Sequence, residues 1–211
     1  TRFVVSEMAG RSTLELKAND LGIEIDGKVL GDVVEVLKRL EYEGYHFEVA
    51  DASLELLMRG ASGWKQGFFE VESFKVDMNH IGSGSRAWNE IAVEVDTRAV
   101  VDLSVDGKKL VGLGDGNGPV NAIDTALRSV LIESYPELKD ISLVDYKVRV
   151  LDTEKGTGAV TRVLLDSTNG ETVWTTIGVS ENIIEASWQA LIDSIVYGLL
   201  HSPHRDEAQS E

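Results

Sequence analysis

Four histidines, His46, His80, His201 and His204, are the natural first candidates for chemistry, and none belongs to an H-x-H or H-E-x-x-H arrangement. His201-x-x-His204 has a chelating spacing, but it opens the polar run that ends Arg205-Asp206-Glu207-Ala208-Gln209-Ser210-Glu211, which reads as a frayed tail more readily than as a metal site. The serines have no nucleophile-elbow context and no evident base. With no cysteine, a thiol nucleophile, a disulfide scaffold and a Cys-ligated zinc site are all excluded. Glu70 and Glu72 alternate along a strand and predict a solvated face, and Glu41 and Glu43 extend the acidic end of a helix. No catalytic residue is assigned.

The run Gly114-Asp115-Gly116-Asn117-Gly118-Pro119 is the exception. Three alternating glycines before a helix bring bare backbone N–H groups to a helix N-terminus, a favourable place for a carboxylate or phosphate. It is not a dinucleotide fingerprint, because Pro119 stands where G-x-G-x-x-G needs its last glycine, and it lacks the G-K-[ST] of a P-loop. A plainer reading stands beside this one: a strand-to-helix turn whose glycines supply positive φ. Further on, Leu143, Tyr146 and Val150, with Thr157 and Ala159, either line an apolar pocket with Tyr146 as its polar handle or form ordinary core.

The elements that must position these residues follow from periodicity. Ser12-Thr13-Leu14-Glu15 has capping-box spacing and predicts a short helix ending near Gly22. Leu30, Val33, Val34, Leu37 and Leu40 mark one face of a helix over 29–42, stopped at Gly44. A third helix runs from Asp51, read as its N-cap, to Arg59. After Ala61-Ser62-Gly63 the pattern changes to strands over 68–78, 90–105 and 108–113, with Asp106-Gly107 as a type I′ hairpin turn, a polar loop over 81–89, and a helix from Pro119.

The order then recurs, with strands over 141–151, 160–167 and 172–177, a second I′ turn at Asn169-Gly170, and a helix over 182–200. At an offset of 63–64, Asp106-Gly107 falls on Asn169-Gly170, Gly114 on Gly178, Ala122 on Ala186, Ala126 on Ala190 and Leu127 on Leu191. The fold class expected is α+β: duplicated β-β-β-α units with antiparallel sheets and two packing helices, preceded by a small helical linker. The segments are a linker over 1–62, a duplicated domain over 67–200 and a disordered tail over 201–211. Each three-stranded sheet leaves a face needing cover, which a facing unit or a second copy of the chain supplies.

Composition narrows the class. Among 211 residues, 36 Asp and Glu against 20 Lys and Arg give a net charge of −16, which argues against nucleic acid or an anionic membrane as the main partner. No apolar run approaches the ~18–20 residues of a membrane span and no signal-peptide pattern opens the chain, so a cytoplasmic protein is expected. The first residue is Thr1, which fits a segment of a longer protein.

Several stretches together resemble the C-terminal part of the 2-isopropylmalate synthase family, and its citramalate synthases in particular. They are Glu7-Met8-Ala9-Gly10-Arg11-Ser12, Glu43-Gly44-Tyr45-His46-Phe47-Glu48, Ala50-Asp51-Ala52-Ser53-Leu54-Glu55-Leu56-Leu57, Gly116-Asn117-Gly118-Pro119-Val120-Asn121-Ala122, Asp145-Tyr146-Lys147-Val148-Arg149-Val150, and the run from Gly178 to Trp188. The resemblance implies a linker followed by a homodimeric regulatory domain that binds a branched-chain amino acid effector, isoleucine for citramalate synthases or leucine for 2-isopropylmalate synthases. It further implies a separate catalytic barrel, carrying a divalent metal, that condenses acetyl-CoA with a 2-keto acid. No cofactor is implied for the present residues, and without the barrel they are expected to be inactive.

Carried over by motif, the effector-facing positions are Gly116, Gly118, Val120 and Asn121 from the glycine loop, and Leu143, Tyr146, Val150, Thr157 and Ala159 from the second unit. Many relatives carry Tyr near the position of Leu16. A leucine cannot donate a hydrogen bond, so no role in a neighbouring active site is assigned to it. The other class of function consistent with the sequence is a dimerisation module without a ligand.

Overall fold

The computed structural model describes residues 7–81, 94–151 and 158–203. Helices α1 (Glu7–Asp20), α2 (Gly27–Glu43) and α3 (Asp51–Ala61) precede strands β1 (Glu70–Ile81), β2 (Glu94–Val105) and β3 (Lys108–Gly116) and helix α4 (Pro119–Leu131). A 3-10 turn over Pro136–Asp140 leads to β4 (Ser142–Leu151), β5 (Val160–Thr168), β6 (Val173–Ser180) and α5 (Ile183–Leu200). The two sheets are antiparallel meanders ordered β1-β2-β3 and β4-β5-β6, so the duplicated β-β-β-α arrangement expected from the sequence is present. The chain divides into two compact units, Thr1–Gln66 with Leu143–Tyr197, and Gly67–Ser142 with Gly198–Glu211. The helical preface therefore groups with the second repeat.

In the first repeat, Asp106 (φ 50°) and Gly107 (φ 77°) both have positive φ, as a type I′ turn requires. Alternation along β2 sends Ala99, Val101, Leu103 and Val105 inward, where α4 meets them with Ala122, Ile123, Ala126, Leu127 and Leu131. The opposite face is mostly polar: Lys109 pairs with Glu72 at 3.1 Å and Arg98 with Asp115 at 2.7 Å. Arg128 holds the partly buried Asp124 at 2.9 Å and donates to the Leu138 carbonyl, tying the end of α4 to the 3-10 turn.

In the second repeat, α5 lies on one face of the sheet. Thr176 Oγ1 donates to the Ala190 carbonyl at 2.7 Å and Trp174 Nε1 to the Ser194 carbonyl at 3.2 Å. By length and composition alone α5 could cross a membrane, although Glu185, Gln189 and Asp193 interrupt its apolar run. Here half of the helix is buried against protein, and Ala186, Ala190, Leu191 and Ile195 are fully covered.

The linker helices share a core with β6, in which Leu30, Val33, Val34, Phe47, Leu54 and Met58 pack with Ile177 and Val179. They also close the outer edge of β6. The backbone N–H of Thr175 reaches Asp51 Oδ1 at 3.4 Å, and that of Ile177 donates to Ser53 Oγ at 3.0 Å. The N–H of Val179 donates to Gln189 Oε1 at 3.1 Å. An open edge is thus satisfied by side chains. Replacing Ser53 by alanine is expected to cost about 2 kcal/mol, because it orphans the buried Ile177 N–H; urea unfolding reads this directly, and a loss under about 0.5 kcal/mol refutes the edge-capping role.

Three local expectations are corrected. Helix α1 is already running at Glu7, so Ser12 sits mid-helix and opens nothing. Helix α3 is N-capped by Ala50 without a side-chain bond, because Asp51 turns to β6 instead. Asn169-Gly170 is not a type I′ turn: Gly170 has φ 90°, but Asn169 does not enter the positive region. The Asn169 Oδ1 instead accepts from the N–H groups of Glu171 and Thr172, an Asx arrangement within a four-residue loop. By contrast, α2 ends at Gly44 (φ 119°) as expected, and begins at Asp26, whose Oδ1 accepts from Lys28 N and Val29 N.

Candidate functional site

The glycine loop is shaped by the approach of α4 to β3. Gly112, Gly114 and Gly116 alternate on the face of β3 that α4 covers, and an added Cβ on any of them would strike helix backbone. At Gly116 it would lie 2.5 Å from Ala122 N and 2.6 Å from Asn121 Oδ1. None of Gly114, Gly116 and Gly118 has positive φ; Gly118 is extended at φ −174°. The positive-φ reading of the loop is therefore replaced by close packing of a helix on a strand.

The second repeat uses the same contacts. Gly178 faces the Ala186 carbonyl as Gly114 faces that of Ala122, and Thr176, aligned with Gly112, hydrogen-bonds the Ala190 carbonyl that corresponds to Ala126.

The two helix starts differ. Asn182 Oδ1 accepts from Ile184 N and Glu185 N at the start of α5. Helix α4 has Gly118 as its N-cap with no side-chain bond, and Pro119 contributes no N–H. The N–H groups of Val120 and Asn121 are left facing the loop without a side-chain cap. Opposite Gly116 in the ladder stands Thr97, which is completely buried and whose Oγ1 hydrogen-bonds to no described protein atom. The loop's own acid, Asp115, is bound by Arg98 Nε at 2.7 Å and Nη2 at 3.3 Å, and this guanidinium holds the Asp115 carboxyl below its usual range. The sequence reading missed Thr97, since a threonine in a strand is ordinary until its hydroxyl is found unmet.

The second group of sequence-derived positions lies on and near β4. Tyr146 and Val150 share one face with Val144 and Val148, all of them 40–55% exposed, so this stripe is not core of the single chain. The Tyr146 hydroxyl and Ser187 Oγ on α5 are 3.0 Å apart. Leu143 has the opposite strand parity and falls with Leu151, whose side chain approaches Gly44. Ala159 is buried, while Thr157 lies outside the described residues, as does His204. Gly116, Gly118, Val120 and Asn121 belong to one compact unit, and the five other positions to the second. Among the described residues, no group of three or more His, Cys, Asp or Glu side chains is placed to hold a metal.

The described residues form a twice-repeated sheet-and-helix unit in which glycines let each helix pack backbone to backbone on its strand. The chain belongs to the family of the LeuA allosteric (dimerisation) domain, whose model matches residues 48–199. It is 47% identical over 204 residues to a protein of Streptomyces coelicolor named (R)-citramalate synthase, covering 95% of this chain and 36% of that relative. An (R)-citramalate synthase of Aquifex aeolicus is 46% identical over 201 residues, covering 94% of this chain and 37% of the relative. The relative of the same name from Sulfolobus acidocaldarius is 36% identical over 200 residues, covering 94% and 35%. The chain thus spans little more than a third of the length of these relatives.

Proposed function

We propose that this chain is the linker and regulatory part of a citramalate synthase, that it works as a homodimer, and that it binds isoleucine as a feedback inhibitor of acetyl-CoA and pyruvate condensation. The observation that carries the reading is the match of nearly the whole chain, within an allosteric dimerisation family, to relatives named (R)-citramalate synthase. The uncapped N–H groups of Val120 and Asn121, beside Gly116, Gly118 and the unmet Thr97 hydroxyl, suit the effector's α-carboxylate. Tyr146 and Val150, with Leu143, Thr157 and Ala159 nearby in sequence, are assigned to its branched side chain. Homodimerisation has support from the family and from the exposed Val144–Val150 stripe on the edge strand β4.

The test is calorimetry with isoleucine, leucine and valine. Saturable heat with isoleucine, and about tenfold weaker binding of the other two, is expected. Silence with all three leaves a dimerisation module and overturns the effector assignment, and tighter binding of leucine makes the parent a 2-isopropylmalate synthase. Gly118 is the position for a matched variant. A Cβ there meets nothing, so Gly118→Asp introduces a carboxylate that caps α4 itself without strain. The variant should fold at least as stably as the parent and bind isoleucine about tenfold or more weakly; undiminished affinity refutes the role of the loop.

A further inference from the structure

We propose that an open cleft between the linker helices, β6 and α5 binds a small primary ammonium compound with an uncharged hydrocarbon body. None of the residues lining this cleft, of about 330 Å³, is among the positions assigned above to the effector. Its walls are Leu40, Phe47, Leu56, Leu57 and Ile177, and its polar groups are Tyr45, Ser53 and Asp193. An apolar cavity with a few convergent polar groups is the usual form of a small-molecule site.

What the cleft demands of a ligand follows from how those polar groups are already used. Ser53 donates its hydroxyl proton to Asp193 Oδ2 at 2.7 Å and accepts from Ile177 N, so it has no donor left. Tyr45 donates to Gln189 Oε1 at 2.7 Å and its oxygen already faces the Val179 N–H, so Asp193 is the acceptor that the cleft leaves open. Asp193 accepts from Ser53 alone among the described residues, and no Lys, Arg or His there is within ion-pair distance of it. The cation closest in sequence to the Ser53 contact, Arg59, is bound to Glu55 at 2.8 Å.

The surrounding charges do not compensate. Glu43 at the end of α2 and Glu185 on α5 act electrostatically on Tyr45, as Asp193 does. Asp51 and Glu55 on α3 act in the same way on Tyr197, with Arg59 the opposing charge. The cleft therefore offers a carboxylate acceptor, a low-dielectric wall and excess negative charge, but no spare donor.

An ammonium group carries three donors and no acceptor, which matches that inventory. A carboxylate on the same ligand would find no donor in the cleft, so an amine without one is the better match. Burial already pushes the Asp193 carboxyl up to about 6, a sign of how poorly its charge is compensated. The stacked rings of Tyr45 and Phe47, with centroids 5.5 Å apart, give the hydrocarbon part a flat surface.

The experiment is calorimetric titration of the whole chain with isobutylammonium chloride at pH 8, with isobutanol and tetramethylammonium chloride as matched controls at equal ionic strength. Isobutylammonium should bind saturably, and both controls about tenfold or more weakly. Asp193→Asn should abolish the preference for the amine over the alcohol, and saturating isoleucine should leave amine binding unchanged. As a second measurement on the unaltered chain, the amine should shift the NMR amide signals of Phe47 and Ile177 before those of Val120 and Asn121. Equal binding of amine and alcohol, affinity unchanged in Asp193→Asn, or shifts centred on Val120 overturn the proposal. Because isoleucine is titrated separately, failure of this site and failure of the effector reading give different results.

Discussion

Alanine at Gly178 should destabilise the chain by about 3 kcal/mol or more, near the upper end for a one-methyl change. The added Cβ would sit far inside contact distance of the Ala186 carbonyl oxygen, 2.8 Å from the carbonyl carbon and 3.0 Å from Gln189 Cβ. These are not the far ends of flexible chains. The first two are the backbone of α5, and Gln189 is held between the Tyr45 hydroxyl and the Val179 N–H. Relief requires α5 to lift from β6, which stretches the Thr176–Ala190 and Trp174–Ser194 hydrogen bonds at the same time. Gly60 is the control: it lies in α3, an added Cβ meets nothing, and Gly60→Ala should raise stability by about 0.5–1 kcal/mol through helix propensity. Chemical denaturation of the two variants measures both signs. A Gly178→Ala protein within about 0.5 kcal/mol of the parent would show that α5 and β6 are not packed backbone to backbone.

That contrast also shows where sequence reasoning reached its limit. The repeat was legible because its markers are local or periodic: Asp106-Gly107 carries its own turn geometry, and Gly114, Ala122 and Ala126 recur as Gly178, Ala186 and Ala190. The glycines could be located without being understood. A glycine admits both positive φ and close approach, and only the position of Ala122 and Ala186 over the strands decides between them. Asp51 looked like a helix cap because Asp before a helix usually is one; its actual partner, Thr175, is 124 residues away. Asn169 likewise used its side chain where the dipeptide suggested its backbone. The candidate site follows the same rule. The uncapped start of α4 was visible as Gly118-Pro119, whereas Thr97 matters through a hydrogen-bond partner and Asp193 through a countercharge that the described residues do not supply, and a sequence does not record a missing partner.

Replacing Asp193 by asparagine should make the chain more stable at pH 8 and leave it unchanged near pH 3. Burial raises the folded carboxyl from an ordinary 3.8 to about 6, against the smaller opposing effect of the Ser53 hydrogen bond. The folded state therefore holds the proton more tightly than the unfolded chain does. Below about pH 4 both states are protonated and the group costs nothing; between pH 4 and 6 only the unfolded chain releases its proton; above pH 6 the full penalty is present. The shift sets an upper bound of about 3 kcal/mol, reduced to about 1–3 kcal/mol because the side chain opens partly onto the cleft. Asparagine keeps an oxygen for the Ser53 hydroxyl and sheds the charge, so the parent chain should lose stability relative to Asp193→Asn as pH rises from 4 to 6. Unfolding curves for the two proteins that stay parallel across that range would mean that Asp193 is well solvated. A parent chain more stable than Asp193→Asn above pH 6, by a margin that shrinks as pH falls, would mean that an unseen cation already pairs with Asp193, because a paired carboxylate contributes most when ionised and loses that contribution on protonation.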